Sequence, residues 1–160
     1  MEASTGSLGQ GLSVANGIAF AAKLDNKDYK TYCLIGDGES QEGQIWEAAM
    51  TAAQYKLDNV IAILDINCLQ IDGKVCDIKN IEPIKDKWVS FGWHTIEIDG
   101  HNMEEIIKAF DDADKIKDKP VIILAHTIKS KGVPFMENDA GWHGKAPDEE
   151  QLKKALETLY

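Results

Sequence analysis

Arginine is absent: all 17 cationic side chains of this 160-residue chain are lysines. Bidentate guanidinium clamps on phosphate are therefore excluded within the chain. Cysteine is scarce and odd in number. Cys33, Cys68 and Cys76 have a spacing that suits neither a zinc site nor a disulfide framework, which points to a reducing, cytoplasmic setting. Cys33, inside an apolar run, reads as a buried small hydrophobe. Long apolar runs are lacking too. Val60-Ile61-Ala62-Ile63-Leu64 is too short to span a bilayer, and residues 1–20 lack the charged start and apolar stretch of a signal peptide. Positive charge is in deficit, with a formal net charge of −10. Nucleic acid and anionic membrane surfaces are thereby excluded as main partners. The four prolines and 13 glycines are scattered, so no segment is low-complexity, and no internal repeat is visible.

What is present is an ordinary globular composition, 44% apolar and 28% charged, with length enough for one domain and its core. Residues 3–11 read as the interior of a loop. A helix is predicted from about Leu12 to Leu24, with Val14, Ile18, Ala21 and Ala22 as its stripe. Thr31 to Ile35 reads as a short buried strand ending at the turn signal Gly36-Asp37-Gly38. Gln44 to about Lys56 is predicted as a helix. Asn59 to Asp65 suits a parallel strand buried on both faces. A loop follows over 67–80. Pro83 opens a helix running to about Phe91. His94 to Ile98 alternates as a strand, and Met103 to Ala113 is an amphipathic helix with Ile106, Ile107 and Phe110 inward. Pro120 to Ala125 is another buried strand. A long polar loop covers about 130–147, and Asp148 caps a last helix through Leu159.

Strands alternating with helices imply βαβ units: an α/β fold with a three-layer, doubly wound, mainly parallel sheet. In such sheets ligands bind beyond the carboxyl ends of the strands. Asp37, Asn67, His101 and Lys129 all follow strands.

The central constellation is Gly36-Asp37-Gly38, with Asn67 about thirty positions later. One helix and one strand fill that gap, so both side chains reach the same edge of the sheet. A carboxylate and an amide oxygen are hard ligands suited to Mg²⁺ or Ca²⁺. Gly38 leaves room for a phosphate beside the backbone, and the helix beginning near Glu42 points its positive end into the same crevice. Alone, Gly-Asp-Gly is only a tight turn; the strands around it and Asn67 make it a cation-bridged diphosphate site.

Gly36 to Gly43, read together with Asp65 to Gly73, resembles the thiamine-diphosphate motif. Gly6-Ser7-Leu8-Gly9-Gln10-Gly11 and Trp142-His143-Gly144-Lys145-Ala146-Pro147 narrow the resemblance, which spans essentially the whole chain, to the transketolases. Deoxyxylulose-phosphate synthases share the central motif without these flanks. A nucleotide-binding doubly wound domain lacks support, since no Gly-x-Gly-x-x-Gly or phosphate-loop lysine is present.

The resemblance implies metal binding by Asp37, Asn67 and the Leu69 carbonyl. It implies cofactor contacts from Gly6, Ser7, Leu8, Gly38, Asn67, Ile71, Lys129 and His143, with His143 catalytic near the reacting carbon. Glu42 resembles a glutamate buried at the subunit contact. Plainer readings stand beside these: loop packing for Ser7 and Leu8, a solvated lysine at 129, a helix-terminal charge at Glu42. Asp99-Gly100-His101-Asn102 reads as a turn and helix cap in preference to a functional His101, His94 and His126 as structural, and Trp46 and Trp88 as core or interface.

The resemblance further implies a single diphosphate-and-metal domain over 1–160, lacking its N-terminal part and the pyrimidine domain with its ylid-forming glutamate. The expected activity is two-carbon ketol transfer between sugar phosphates in the pentose phosphate pathway. It would be completed by a pyrimidine-domain subunit or segment in a homo- or hetero-oligomer such as a dimer. Without that partner, the chain would be a cofactor-binding module that catalyses nothing.

Overall fold

A computed structural model describes residues 3–159. Four parallel strands form the main sheet: β1 (Thr31–Gly36), β2 (Val60–Ile66), β5 (His94–Asp99) and β6 (Val121–His126), in the spatial order β1-β2-β6-β5. The helices are α1 (Gln10–Leu24), α2 (Gly43–Gln54), α3 (Val75–Lys79), α4 (Ile84–Ser90), α5 (Met103–Ala113) and α6 (Glu149–Leu159). A two-stranded antiparallel hairpin, β3 (Leu69–Gln70) with β4 (Gly73–Lys74), stands apart from the sheet.

Side-chain alternation sorts the strands into two cores. Cys33, Ile35, Ala62, Leu64, Ile122 and Leu124 face α1, α2 and α4. Ile61, Ile98, Val121, Ile123 and Ala125 face α5 through Ala109 and Ala113. The chain steps from β1 to β2 and on to β5 in one direction, then turns back to β6. Right-handed crossovers put the helix of a reversed step on the opposite face, where α5 lies. Alanines on α1 (Ala15, Ala19, Ala22) and α2 (Ala48, Ala49, Ala52) are buried, and their small size lets the two helices lie close on the sheet. Trp88 is fully buried, its ring tilted 5.1 Å from Trp46 and edge to face 5.0 Å from Trp93.

Local chemistry sets the helix starts. The Asn102 side chain accepts from the backbone N–H groups of Glu104 and Glu105 and caps α5. Asp148 and Gln151 exchange hydrogen bonds, Gln151 N–H to Asp148 Oδ1 at 2.9 Å and Asp148 N–H to Gln151 Oε1 at 3.0 Å, forming a capping box before α6.

Four expectations are corrected. β1 is buried on one face only. Tyr32 and Leu34 are 54% and 73% exposed while Ile35 is fully buried, because α5 lies mainly over β5 and reaches this edge strand only at its rim, where Phe110 meets Tyr32 edge to face at 5.7 Å. The α1 stripe is Leu12, Ala15, Asn16, Ala19 and Ala22, with Val14 outward. On α5, Ile107 is exposed, and Ile106 and Phe110 pack with Ala109 and Ala113. The 67–80 segment is not all loop, since it holds the β3–β4 hairpin and α3. The main-sheet strands were legible from their apolar runs, whereas two-residue strands carry no periodicity to read.

Candidate functional site at the carboxyl ends of the strands

Asp37 follows β1 and is 2% exposed. Its carboxylate accepts from two backbone N–H groups: Gly38 to Oδ1 at 2.7 Å and Cys68 to Oδ2 at 2.6 Å. The second bond crosses to the loop after β2. Cys68 has φ 62°, a left-handed conformation at the bend that leads into the hairpin. Burial pushes the Asp37 carboxyl above its ordinary value, the neighbouring Asp65 charge adds to this, and the bonds from Cys68 and Gly38 oppose it.

Asn67 follows β2. Its Nδ2 donates to Asp65 Oδ2 at 2.9 Å, and its Oδ1 accepts from the Leu69 N–H at 3.0 Å. Asp65 Oδ1 accepts from the Thr127 hydroxyl after β6, and the Asp65 carbonyl accepts from the Asp37 N–H at 3.1 Å. The ends of β1, β2 and β6 are thus one network of Asp37, Asp65, Asn67 and Thr127. Among the described residues neither Asp37 nor Asp65 forms an ion pair.

That donor set fits a divalent cation. A buried carboxylate paired only with backbone N–H groups, next to a second carboxylate, keeps unused lone pairs and excess negative charge. The amide oxygen of Asn67 likewise has a lone pair left. Among the described residues no group of three His, Cys, Asp or Glu side chains could hold a metal by itself, so such a cation would also draw on amide, carbonyl or ligand oxygens.

The Gly6–Leu8 segment is exposed, and the structure ties it to the strand ends through a residue the sequence pattern did not single out. Glu39 accepts from the Gly9 N–H at 2.9 Å and from the Gly36 N–H at 3.1 Å. Gly9 has φ 85°, and a Cβ there would meet Glu42 Cβ at 3.1 Å. Placing Glu39 three residues after Gly36 in a 3₁₀ turn (Gly38–Gln41) is the signal that could have revealed it.

Gly38 is placed differently from expectation. Its N–H is taken by Asp37, and a Cβ would meet Gln70 Cβ at 3.1 Å. The space left by its missing side chain is filled by the hairpin, not held open for a phosphate. Leu69 lies in β3, and Ile71 at the hairpin tip is 70% exposed. Glu42 is exposed at the start of α2.

Lys129 follows β6, half-buried, with its carbonyl accepting from the Asn138 N–H at 2.9 Å. The 99–102 segment is the expected turn and cap, with Asn102 capping α5, while His101 Nε2 accepts from the Ile128 N–H at 2.7 Å. His126 pairs with Glu97 at 2.8 Å on the surface. His143 is exposed just past a 3₁₀ turn (Ala140–Trp142). Its neighbours Phe135 and Trp142 pack edge to face at 5.6 Å, and no side-chain hydrogen bond joins it to Asp37 or Asn67.

The family model for the transketolase thiamine diphosphate binding domain matches residues 1–159. The chain belongs to this family. Among transketolase relatives, one subunit of the apulose-4-phosphate transketolase from Phocaeicola vulgatus is 49% identical, over 98% of this chain and 56% of that protein. One subunit of the 6-deoxy-6-sulfo-D-fructose transketolase from a Clostridium species is 48% identical, over 99% of this chain and 58% of that protein. The crystal structure of the transketolase from Campylobacter jejuni superposes with a TM-score of 0.90 at 41% identity, covering 96% of this chain and 25% of that one. The parallel sheet with flanking helices is therefore the transketolase fold. The chain spans just over half the length of the two subunit relatives.

Proposed function

We propose that this chain is the diphosphate- and metal-binding portion of a transketolase that moves a two-carbon ketol unit between sugar phosphates. The observation that carries the reading is the Asp37–Cys68 hydrogen bond. It brings a buried carboxylate and the Asn67 loop together at the carboxyl ends of adjacent parallel strands, where a cation-bridged diphosphate is bound in such sheets.

In this reading Asp37 and Asn67 hold Mg²⁺ or Ca²⁺ by their side-chain oxygens, and Leu69 adds its carbonyl. Ser7 and Lys129 would contact the diphosphate, and Lys129 would supply positive charge that the site otherwise lacks. Gly6, Leu8 and Ile71 offer apolar or open surface to the organic part of the cofactor. Thiamine diphosphate, when bound, supplies the electron sink that ketol transfer requires. His143 would hydrogen-bond the sugar at its hydroxyls and take up or return a proton there. Two relatives are named as subunits, which supports a partner bearing the pyrimidine-binding half, and the exposed Tyr32 and Leu34 on β1 leave apolar surface for such a neighbour.

Calorimetric titration with thiamine diphosphate, in Mg²⁺ and in chelator, tests this. Binding that requires the metal and is lost in Asp37→Ala is expected. A folded chain that binds equally well in chelator overturns the metal assignment, and one that does not bind at all overturns the reading of this chain as a self-sufficient cofactor site.

A further inference from the structure

We propose that Asp65, itself no metal ligand, is the positioning residue that turns the Asn67 amide oxygen toward the cation; the inference rests on reading Asp37 and Asn67 as ligands. An asparagine amide has two unlike ends of nearly equal shape, and only its hydrogen-bond partners decide which way it faces. An ionised carboxylate accepts and cannot donate. Asp65 Oδ2 therefore receives the NH₂ end of Asn67, at 2.9 Å, and the oxygen is left on the other side, where the Leu69 N–H meets it at 3.0 Å.

The reversed amide would set oxygen against carboxylate and NH₂ against the Leu69 N–H. Both bonds would be lost, and a nitrogen with no lone pair to offer would face the metal. Asp65 is itself held. Its second oxygen accepts from the Thr127 hydroxyl and its carbonyl from the Asp37 N–H. Strand β6 thus acts on the metal site through Thr127, then Asp65, then Asn67, without touching it.

The test uses Mn²⁺ as the probe, with the full chain and thiamine diphosphate, and reads free Mn²⁺ by electron paramagnetic resonance. Asp65→Ala is expected to weaken Mn²⁺ binding roughly 10- to 100-fold, the usual effect of removing a residue that orients a ligand. Asp65→Asn is expected to restore most of the affinity. Its amide oxygen can still accept from Asn67 while the Thr127 hydroxyl rotates to accept from its NH₂. An Asp65→Ala variant that binds like wild type overturns the proposal. So does an Asp65→Asn variant as weak as Asp65→Ala, because charge alone would then explain the loss. Should Asp65→Ala not fold, Thr127→Val is expected to show a smaller loss in the same direction, and unchanged affinity there overturns it. Wild-type protein that binds no Mn²⁺ instead overturns the assignment of Asp37 and Asn67.

Discussion

The backbone N–H of Cys68 donates to Asp37 Oδ2 at 2.6 Å, so the loop after β2 is fastened to the loop after β1 by a side chain buried between them. Asp37 is thereby a structural member of the metal-free fold as well as a candidate ligand. These two roles pull in opposite directions as pH changes.

The folded pKa of Asp37 is raised, chiefly by burial. Its contribution to stability is therefore full below the unfolded value of 3.8 and is lost as pH rises through the raised folded value. Without metal, the melting temperature of wild type relative to Asp37→Ala should fall as pH rises above the unfolded value of 3.8. With Mg²⁺ and thiamine diphosphate, the cation offsets the buried charge and wild type should become the more stable of the two at neutral pH. Thermal melts of both proteins across pH, with and without the ligands, check this. A wild-type advantage that is flat with pH in chelator would refute the burial argument.

Glu39 joins the Gly9 loop to Gly36 by accepting at both carboxylate oxygens. Glu39→Gln presents an NH₂ group to one of two N–H donors, leaving one donor unpaired at a cost of about 1–3 kcal/mol. Amide hydrogen exchange at Gly9 or Gly36 should accelerate accordingly, while exchange in β2 and β6 stays slow.

Gly9 sits at φ 85° with Glu42 Cβ only 3.1 Å from where its own Cβ would be. Gly9→Ala should therefore cost about 1–2 kcal/mol from the left-handed backbone alone, with the crowding at Glu42 adding to it. Urea denaturation reads the loss. Gly6→Ala makes the contrast, because nothing lies within 4 Å of a Cβ there.

The three cysteines should separate chemically. Cys33 is buried and its thiol is pushed up to about 11, by burial first and by the Glu39 charge second. Cys68 and Cys76 are exposed. Burial and then the Asp37 charge push the Cys68 thiol up, so a chromogenic disulfide reagent at pH 8 should modify Cys76 faster than Cys68 in the native chain and reach Cys33 only after unfolding.

The one-sided burial of β1 predicts unequal neighbours. Ile35→Ala should cost about 2–5 kcal/mol, as core truncations do. Leu34→Ala should stay within roughly 0.5 kcal/mol in the isolated chain. A large effect at Leu34 would show that the outer face of β1 is already covered in solution.

Much of this was legible in the chain. The apolar runs of β2 and β6 marked central strands because both faces of a parallel strand need apolar side chains. Asn102 and Asp148 announced the starts of α5 and α6, one as a cap and one as half of a capping box, because capping depends on residues within one turn. β1 misled for the same reason that β2 did not: Tyr32-Cys33-Leu34-Ile35 is apolar throughout, yet an edge strand takes its cover from whichever helix lies over it. Ile107 was misassigned because helical spacing marks a stripe wider than the one α5 buries.

The positions of Asp37, Asn67 and Lys129 after parallel strands were legible in the sequence because the strand-turn grammar delivers such residues to one end of the sheet. The roles of Glu39, Asp65, Thr127 and His101 were not. Each acts by a hydrogen bond whose partner comes from another turn or strand, such as Thr127 on Asp65 across 62 positions. Composition and spacing alone determined the class of fold, the lack of arginine and the candidate ligands, since those follow from local periodicity and residue chemistry. Only the tertiary structure decided which end of the Asn67 amide faces Asp65 and which face of β1 is largely exposed. Orientation and cover depend on the strand order and on neighbours that no local pattern records.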